Sequence, residues 1–376
     1  MKSRLFSAEE LINLPTSSST FTRHPDFVLA FLPATEHLAT RLLALGTRFP
    51  DTLIAGCNAL RQFLTGGIVD DGVVQLFWFD DPGHRAWCEI VSEEEDGFID
   101  IAPVLSRLCQ QQPDSAIVLV DGIHFPVHKL LDTMRDVPEL ANTTLVGGLA
   151  SKALDPHHFL DDEGAWVFCN GRIHHRSALV IGLDGIDIQT AIVRGWEPAS
   201  PVFTVTEAHD RVLCAIDDKC ATDWYRDYFT VDGILAELPS SSYCFPLIID
   251  SPDPSRRRIY RTMAVFDEPK GCITFAGDIH TGDKIRLGIG DAASLIQAAS
   301  ELEIGDADAC LLFSCTVREV ILQDKAEDEL LALNDKLGDT PLTGFFTFGE
   351  IGPSAANVLA YYNQTGVLAL LRERKA

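Results

Sequence analysis

One pattern recurs three times in this chain and limits what it can fold into. Phe27–Leu32 is a short, fully apolar strand, residues 35–49 carry helical spacing (Leu38, Leu42, Leu45, Phe49), and residues 52–57 form a second strand. The order repeats at 116–120, 127–134 and 144–148, and again at 309–313, 324–337 and 340–344. Each return strand opens with Thr and reaches Gly at its fifth residue: Thr52 to Gly56, Thr144 to Gly148, Thr340 to Gly344. A strand, a helix and a strand of this length make a right-handed crossover between parallel strands.

Antiparallel signals lie between the units. Asn170-Gly171 is a type I′ turn pairing residues 165–169 with 172–183. Residues 72–79, 188–196, 203–206, 212–216, 258–266, 272–275 and 284–289 read as strands, with helices over 221–229 and 292–302 and a last strand at 366–371. Parallel crossovers mixed with meanders predict an α/β fold with mixed parallel and antiparallel sheets, helices on the outer faces and internal pseudo-duplication. Residues 1–24, with the polar run Thr16-Ser17-Ser18-Ser19-Thr20, read as an irregular N-terminal arm. Trp224, Tyr225 and Tyr228 are expected in the core.

Composition narrows the function. A formal charge of −25 opposes binding to nucleic acid or an anionic membrane. No apolar run reaches membrane-spanning length, and the N-terminus lacks a secretory h-region, so a cytoplasmic location is expected. The basic cluster Arg256-Arg257-Arg258 reads as a solvated loop entering a strand. Ten scattered cysteines without a Cys-x-x-Cys pair read as reduced thiols, many in apolar runs. His124 and His128 have helical spacing broken by Pro126, and the pairs His157-His158 and His174-His175 have no supporting ligands, so no metal is expected. No phosphate-binding Gly-rich loop, nucleophile elbow or zincin motif is present, and no cofactor is implied.

Two stretches carry candidate chemistry. In Thr343-Gly344-Phe345-Phe346-Thr347-Phe348-Gly349-Glu350-Ile351-Gly352-Pro353 a buried strand ends at a carboxylate between glycines. The glycines leave room for a ligand to touch main chain, or they serve a turn beside a solvated Glu350. In Phe313-Ser314-Cys315-Thr316-Val317-Arg318 a thiol sits just past a strand, with a guanidinium one turn on. That position favours thiolate character, unless Cys315 is simply buried. If the three units share one sheet, both stretches end on the same carboxyl edge, where α/β proteins bind ligands.

At these residues the chain resembles the FIST family, over nearly its whole length. The resemblance rests on Phe313-Ser314-Cys315 with Arg318, on Gly344-Phe345-Phe346-Thr347 and Gly349-Glu350-Ile351-Gly352, on Asn363 with Thr365, and on Arg261 in Ile259-Tyr260-Arg261. In the first half it rests on residues 145–150 and 167–183, Gly195-Trp196 and Val205-Thr206. The first-half motif departs from the family pattern: Gly56-Cys57 is followed by Asn58-Ala59-Leu60-Arg61, and the usual Glu is missing. Val317 stands where members often have Gly.

The resemblance implies an N-terminal domain over 25–219, a C-terminal domain over 220–376, and a sensory role for small ligands, with amino acids proposed. Glu350 would meet an ammonium, and Arg261 or Arg318 would fork a carboxylate. Asn363 and Thr365 would add neutral hydrogen bonds, Phe346 an apolar wall, and Cys315 and Thr347 further lining. The expected partners are a small-molecule ligand and a signalling protein. The rival readings are an enzyme with Cys315 as nucleophile and Glu350 as base, and an adaptor with a vestigial pocket.

Overall fold

The computed structural model describes residues 1–14, 21–35, 37–94, 97–152, 164–229, 238, 240–251 and 253–375. The polar run at 16–20 and the pair His157-His158 lie outside them. The first copy comprises β1 (Lys2–Ser7), α1 (Ala8–Asn13), β2 (Phe27–Leu32), α2 (Leu38–Arg48), β3 (Leu53–Asn58), a hairpin β4 (Gln62–Leu64) and β5 (Gly67–Val69), and β6 (Val73–Trp78). The second repeats it: β7 (Arg85–Ser92), α3 (Ala102–Gln111), β8 (Ser115–Val120), α4 (Val127–Arg135), β9 (Thr144–Leu149), hairpin β10 (Val167–Cys169) and β11 (Arg172–His174), and β12 (Ser177–Asp184).

The third copy opens with β13 (Ile186–Val193) and is then interrupted. The insert holds β14 (Glu197–Pro198), β15 (Phe203–His209), β16 (Val212–Ile216), β17 (Lys219–Cys220), α5 (Ala221–Tyr228), β18 (Leu247–Asp250), β19 (Arg257–Arg261), β20 (Met263–Asp267), β21 (Cys272–Phe275) and β22 (Lys284–Ile289). The copy resumes with α6 (Ala292–Ser300), β23 (Ala309–Cys315), α7 (Thr316–Leu322), α8 (Ala326–Leu337), β24 (Leu342–Thr347), hairpin β25 (Glu350–Pro353) and β26 (Leu359–Tyr362), and β27 (Gly366–Glu373).

Three six-stranded sheets result, with the same internal order. They run β1-β6-β2-β3-β10-β11, β7-β12-β8-β9-β25-β26, and β13-β27-β23-β24-β4-β5. The crossover pairs β2–β3, β8–β9 and β23–β24 are parallel, as the strand–helix–strand spacing predicts. The hairpins are exchanged in a ring. The first copy's hairpin completes the third sheet, the second copy's completes the first, and the third copy's completes the second. The units therefore occupy three sheets rather than one, and β12 leaves the hairpin that residues 172–183 were expected to form.

The repeat is physical as well as sequential. Thr52 Oγ1 donates to Pro25 O (2.9 Å), Thr143 Oγ1 to Pro113 O (2.9 Å) and Thr340 Oγ1 to Ala307 O (3.2 Å). Each bond ties the start of the return strand to the residue two positions before the first strand. An aspartate at the next position accepts from the antiparallel neighbour: Asp26 from Phe79 N (2.7 Å), Asp114 from Gly185 N (2.6 Å) and Asp308 from Glu373 N (2.9 Å). In the second copy the equivalent pair is thus Thr143 and Gly147, one residue before the Thr144 and Gly148 of the sequence reading.

The glycines are required. A Cβ at Gly56, Gly147 or Gly344 would fall 1.8 Å from the carbonyl oxygen of Ala30, Val118 or Leu312 across the parallel ladder. The sheets' inner faces meet in one core, where Phe31 packs on Phe313 and Phe345. Their outer faces are covered by α1 and α2, by α3 and α4, and by α6 and α8. Strands covered on both sides read as unbroken apolar runs, which is why these were legible. Helices α2 and α4 bury Leu38, Leu42 and Leu45, and Val127, Leu130, Leu131 and Met134, on one stripe each.

Three expectations change. Residues 2–13 are not an irregular arm: β1 pairs with β6, and Ala8 and Leu11 are fully buried under sheet one. The cysteines are not all reduced, because β16 and β21 set Cys214 opposite Cys272 and a disulfide joins them. Trp224 and Tyr225 are core residues, but Tyr228 is exposed and stacks on Trp224. The nine-stranded sheet of the insert spans residue 220, since β16 pairs with β21. Among the described residues no helix is long and apolar enough to cross a membrane.

The ladder contact gives a stability prediction. Gly344 has φ +149°, so Gly344→Ala meets both a strained backbone and the Leu312 carbonyl. It should cost about 3 kcal/mol or more in urea denaturation, whereas Gly46→Ala in α2, whose Cβ would meet nothing within 4 Å and whose backbone is not strained, should cost far less.

Candidate functional site

Each exchanged hairpin sets one residue against the glycine of the sheet it joins: Phe63 on Gly344, Phe168 on Gly56 and Ile351 on Gly147. The residue just before it enters the junction between two sheets. In the three copies that residue is Gln62, Val167 and Glu350. Gln62 fills its slot completely, because Oε1 accepts from Gly72 N (3.0 Å) and Nε2 donates to Ala59 O (2.7 Å). Gln62 stands where the first-half motif has its Glu, so the missing carboxylate is replaced by a satisfied amide.

Glu350 is fully buried, not solvated. Its Oε2 accepts from Thr365 N (3.1 Å) and Thr365 Oγ1 (2.8 Å), the counterpart of the Gly72 bond. Its Oε1 has no hydrogen-bond partner among the described residues. Burial pushes the carboxyl up to about 8, against Thr365, the Arg318 charge and the Cys315 thiol, which favour the ionised form. Cys315 is itself buried, and burial plus the adjacent Glu350 push its thiol well up.

The following segment completes the surroundings. Asn363 Nδ2 reaches Tyr361 Oη (3.4 Å), while Asn363 Oδ1 and both amide atoms of Gln364 are buried without partners. Gly349 must be glycine, since a Cβ there would lie 2.2 Å from the Tyr361 hydroxyl. An unpartnered buried polar atom costs about 1–3 kcal/mol. Asn363 and Gln364 stand in the chain between Tyr362, which pairs with Glu350, and Thr365, which bonds its carboxyl.

Both arginines are buried close enough to Glu350 to feel its charge, yet both already hold carboxylates. Arg318 is paired with Glu329 on α8 and donates to Arg194 O (2.5 Å), which leaves its Nε without a partner. Arg261 pairs with Asp278 (2.7 Å), donates to Tyr361 O (3.2 Å), and lies 5.7 Å from the centre of the Tyr361 ring. Asp278 also pairs with Arg256, which bonds Asp283 at 2.6 Å. Arg256 is thus buried rather than part of a solvated loop. His128 packs edge-on against Tyr361, and burial beside Arg261 pushes its imidazole down to about 3.

Two expected lining residues have other work. Phe346 sits in the outer apolar layer with Leu330 and Leu333, edge-on to Phe63, and is not a wall beside Glu350. Thr347 Oγ1 bonds Leu149 N, Leu149 O and Gly349 O, all at 2.7 Å, and so locks β24 to β9. The structure brings together Glu350, Thr365, Cys315 and Asn363, with Arg318 and Arg261 behind them. Sequence reasoning missed Tyr361, Gln364 and the counter-ions Asp278 and Glu329. The glutamine lies between the motif residues Asn363 and Thr365, and the tyrosine two positions before Asn363, a proximity that could have drawn attention to them. Open grooves lie elsewhere: one of about 720 Å³ beside Leu42, Thr47 and Asn170, and one of about 160 Å³ beside Met134, Arg135 and Leu359.

A family model described as the FIST N domain matches residues 26–219, and one described as the FIST C domain matches residues 221–353. An uncharacterized protein of Mycobacterium tuberculosis is 26% identical over 261 residues, covering 65% of this chain and 64% of the relative. An uncharacterized protein of Mycobacterium bovis is 24% identical over 259 residues, covering 64% of each. The chain thus spans about two-thirds of the length of these curated relatives.

Glu350 makes stability depend on pH in a stated direction. Its carboxyl ionises near its ordinary 4.5 when unfolded and near 8 when folded, so its stabilising contribution is full below pH 4.5 and is lost as pH rises through 8. Relative to Glu350→Gln, wild-type Tm should therefore fall by roughly 5 °C between pH 5 and 8. Parallel curves in a pH-resolved melting series would show that the carboxyl is not so held.

Proposed function

This chain belongs to the FIST family, whose domains serve sensory roles in signal transduction, and we propose that it senses a small molecule that presents an ammonium or similar donor to Glu350. One observation carries the reading. The same slot that an amide closes in the first copy holds, in the third, a buried carboxylate with one oxygen unpartnered. Burying the charge without a partner is expensive, so burial holds the free carboxyl protonated up to about 8, and a cationic ligand supplies the partner for its ionised form.

An amino acid fits through its ammonium end, with Asn363 and Gln364 as neutral partners. Arg318 and Arg261 hold Glu329 and Asp278, which argues against a free guanidinium fork for the carboxylate end. The acidic surface and the family's sensory role are compatible with a signalling protein as the next element in the chain of response. A nucleophilic role for Cys315 is disfavoured, because its thiol is buried beside a carboxylate that opposes thiolate formation.

Binding can be measured by calorimetry over the proteinogenic amino acids and their decarboxylated amines. At least one should bind, and Glu350→Gln, whose amide fits the equivalent slot at Gln62, should lose about 10- to 100-fold in affinity. Affinity should rise with pH, by up to about tenfold per unit below pH 8. No binding across the panel, or equal binding by Glu350→Gln, would remove the reading.

A further inference from the structure

We propose that Cys88 and Cys169 are an oxidative modification site, at which a reversible disulfide fastens the first sheet to the second. Cys88 lies on β7, the edge strand of sheet two, opposite Ile181. Cys169 ends β10, the strand that sheet one receives from the second copy, opposite Ala55. Their sulfurs are 2.7 Å apart, although the residues are 81 positions apart in the chain. Unbonded heavy atoms rest at about 3.5–4 Å, and a formed disulfide has a bond of about 2.05 Å. The fold therefore holds the two side chains nearly at bonding distance.

The juxtaposition follows from the hairpin exchange. Strand β10 docks on β3, while β12, next in the chain after the hairpin, returns beside β7. Cys169 is buried beside the turn at Asn170 and Gly171, but Cys88, half-buried on an edge strand, gives a small oxidant a path to the pair from its own side. This separates the pair from Cys57, Cys310 and Cys315, which are deeply buried and whose thiols are pushed up by that burial. Within the pair one thiol hydrogen-bonds the other, which favours a thiolate at Cys169, while Glu89 opposes one at Cys88.

Hydrogen peroxide is the oxidant that such a site takes. The Cys169 thiolate attacks the peroxide oxygen, the O–O bond breaks, and hydroxide leaves a sulfenic acid on Cys169. Cys88 then attacks that sulfur as its proton passes to the departing hydroxyl. The S–S bond forms, the S–O bond breaks and water leaves. Two thiols lose two electrons and the peroxide gains them, giving two waters in total. A dithiol such as dithiothreitol reverses the step by exchange. The bridge closes a long loop and restricts the unfolded chain, which raises stability.

The test uses the wild-type chain, fully reduced and then exposed to hydrogen peroxide. Free thiols are blocked by alkylation, and the non-reduced digest is read by mass spectrometry. The expected product is a peptide pair joining Cys88 to Cys169, two hydrogens lighter than its reduced parts and abolished by dithiothreitol. On oxidation Tm should rise by about 5 °C more in the wild type than in Cys88→Ser, where the Cys214–Cys272 bridge alone re-forms. Recovery of both cysteines alkylated, or of Cys169 as a sulfinic acid without a cross-link, would overturn the proposal. So would a bridge present from the start that dithiothreitol cannot open in the native protein.

Discussion

The close approach of two main chains at one glycine, made three times, is the contact on which the architecture rests. At Gly56, Gly147 and Gly344 the parallel ladder leaves no space for a Cβ, so first and return strands lie in tight register. A threonine hydroxyl at one end and an aspartate carboxylate beside it fasten the same three strands in every copy. With that frame set, each hairpin projects into the next sheet, and the three sheets hold one another in a closed ring. Each sheet is incomplete without a hairpin from another copy, so the ring is expected to unfold as a unit.

The exchange also explains where chemistry can collect. Every junction brings one side chain from the incoming hairpin against the start of a strand from another sheet, in a dry setting. Copies one and three kept the same bond from the following strand, Gly72 N to Gln62 and Thr365 N to Glu350, and differ at the second polar atom. The amide finds a carbonyl there, while the carboxylate oxygen finds none. In copy two Val167 occupies the slot and has nothing to bond. The duplicated frame thus holds an internal comparison of the same position with its polar atoms satisfied and with one of them unpartnered.

The insert makes the third junction unlike the others. Its Arg261 reaches from β19 to the Tyr361 carbonyl and ring, while Asp278 and Arg256 tie that guanidinium into a buried chain of charges ending at Asp283. Tyr361 is therefore the shared wall: its hydroxyl meets Asn363 and its other face meets His128 of α4. Residues of the insert, the second copy and the third thus meet around Tyr361.

Much of this was legible from residues alone because the signals are local. Apolar strands covered on both faces, helices with a stripe of leucines, and a threonine four residues ahead of a glycine can all be read within a few positions. Glu350, Cys315, Asn363 and Thr365 could be named together because they fall in short motifs. The N-terminal strand was missed because its partner begins beyond residue 70 and its own alternation is brief. The arginines were assigned to a ligand because their acids stand at 278 and 329, with no spacing rule to announce them. Sequence by itself determined the repeating unit and the presence of a carboxylate between glycines, since backbone sterics and burial act on neighbours in the chain. Tertiary structure alone decided that the hairpins change sheets, that two guanidinium groups were already matched, and that one carboxylate oxygen, near the Cys315 thiol, has no close hydrogen-bond partner among the described residues. Those outcomes depend on which distant surfaces meet, and charge pairing in a dry interior is settled only when they do.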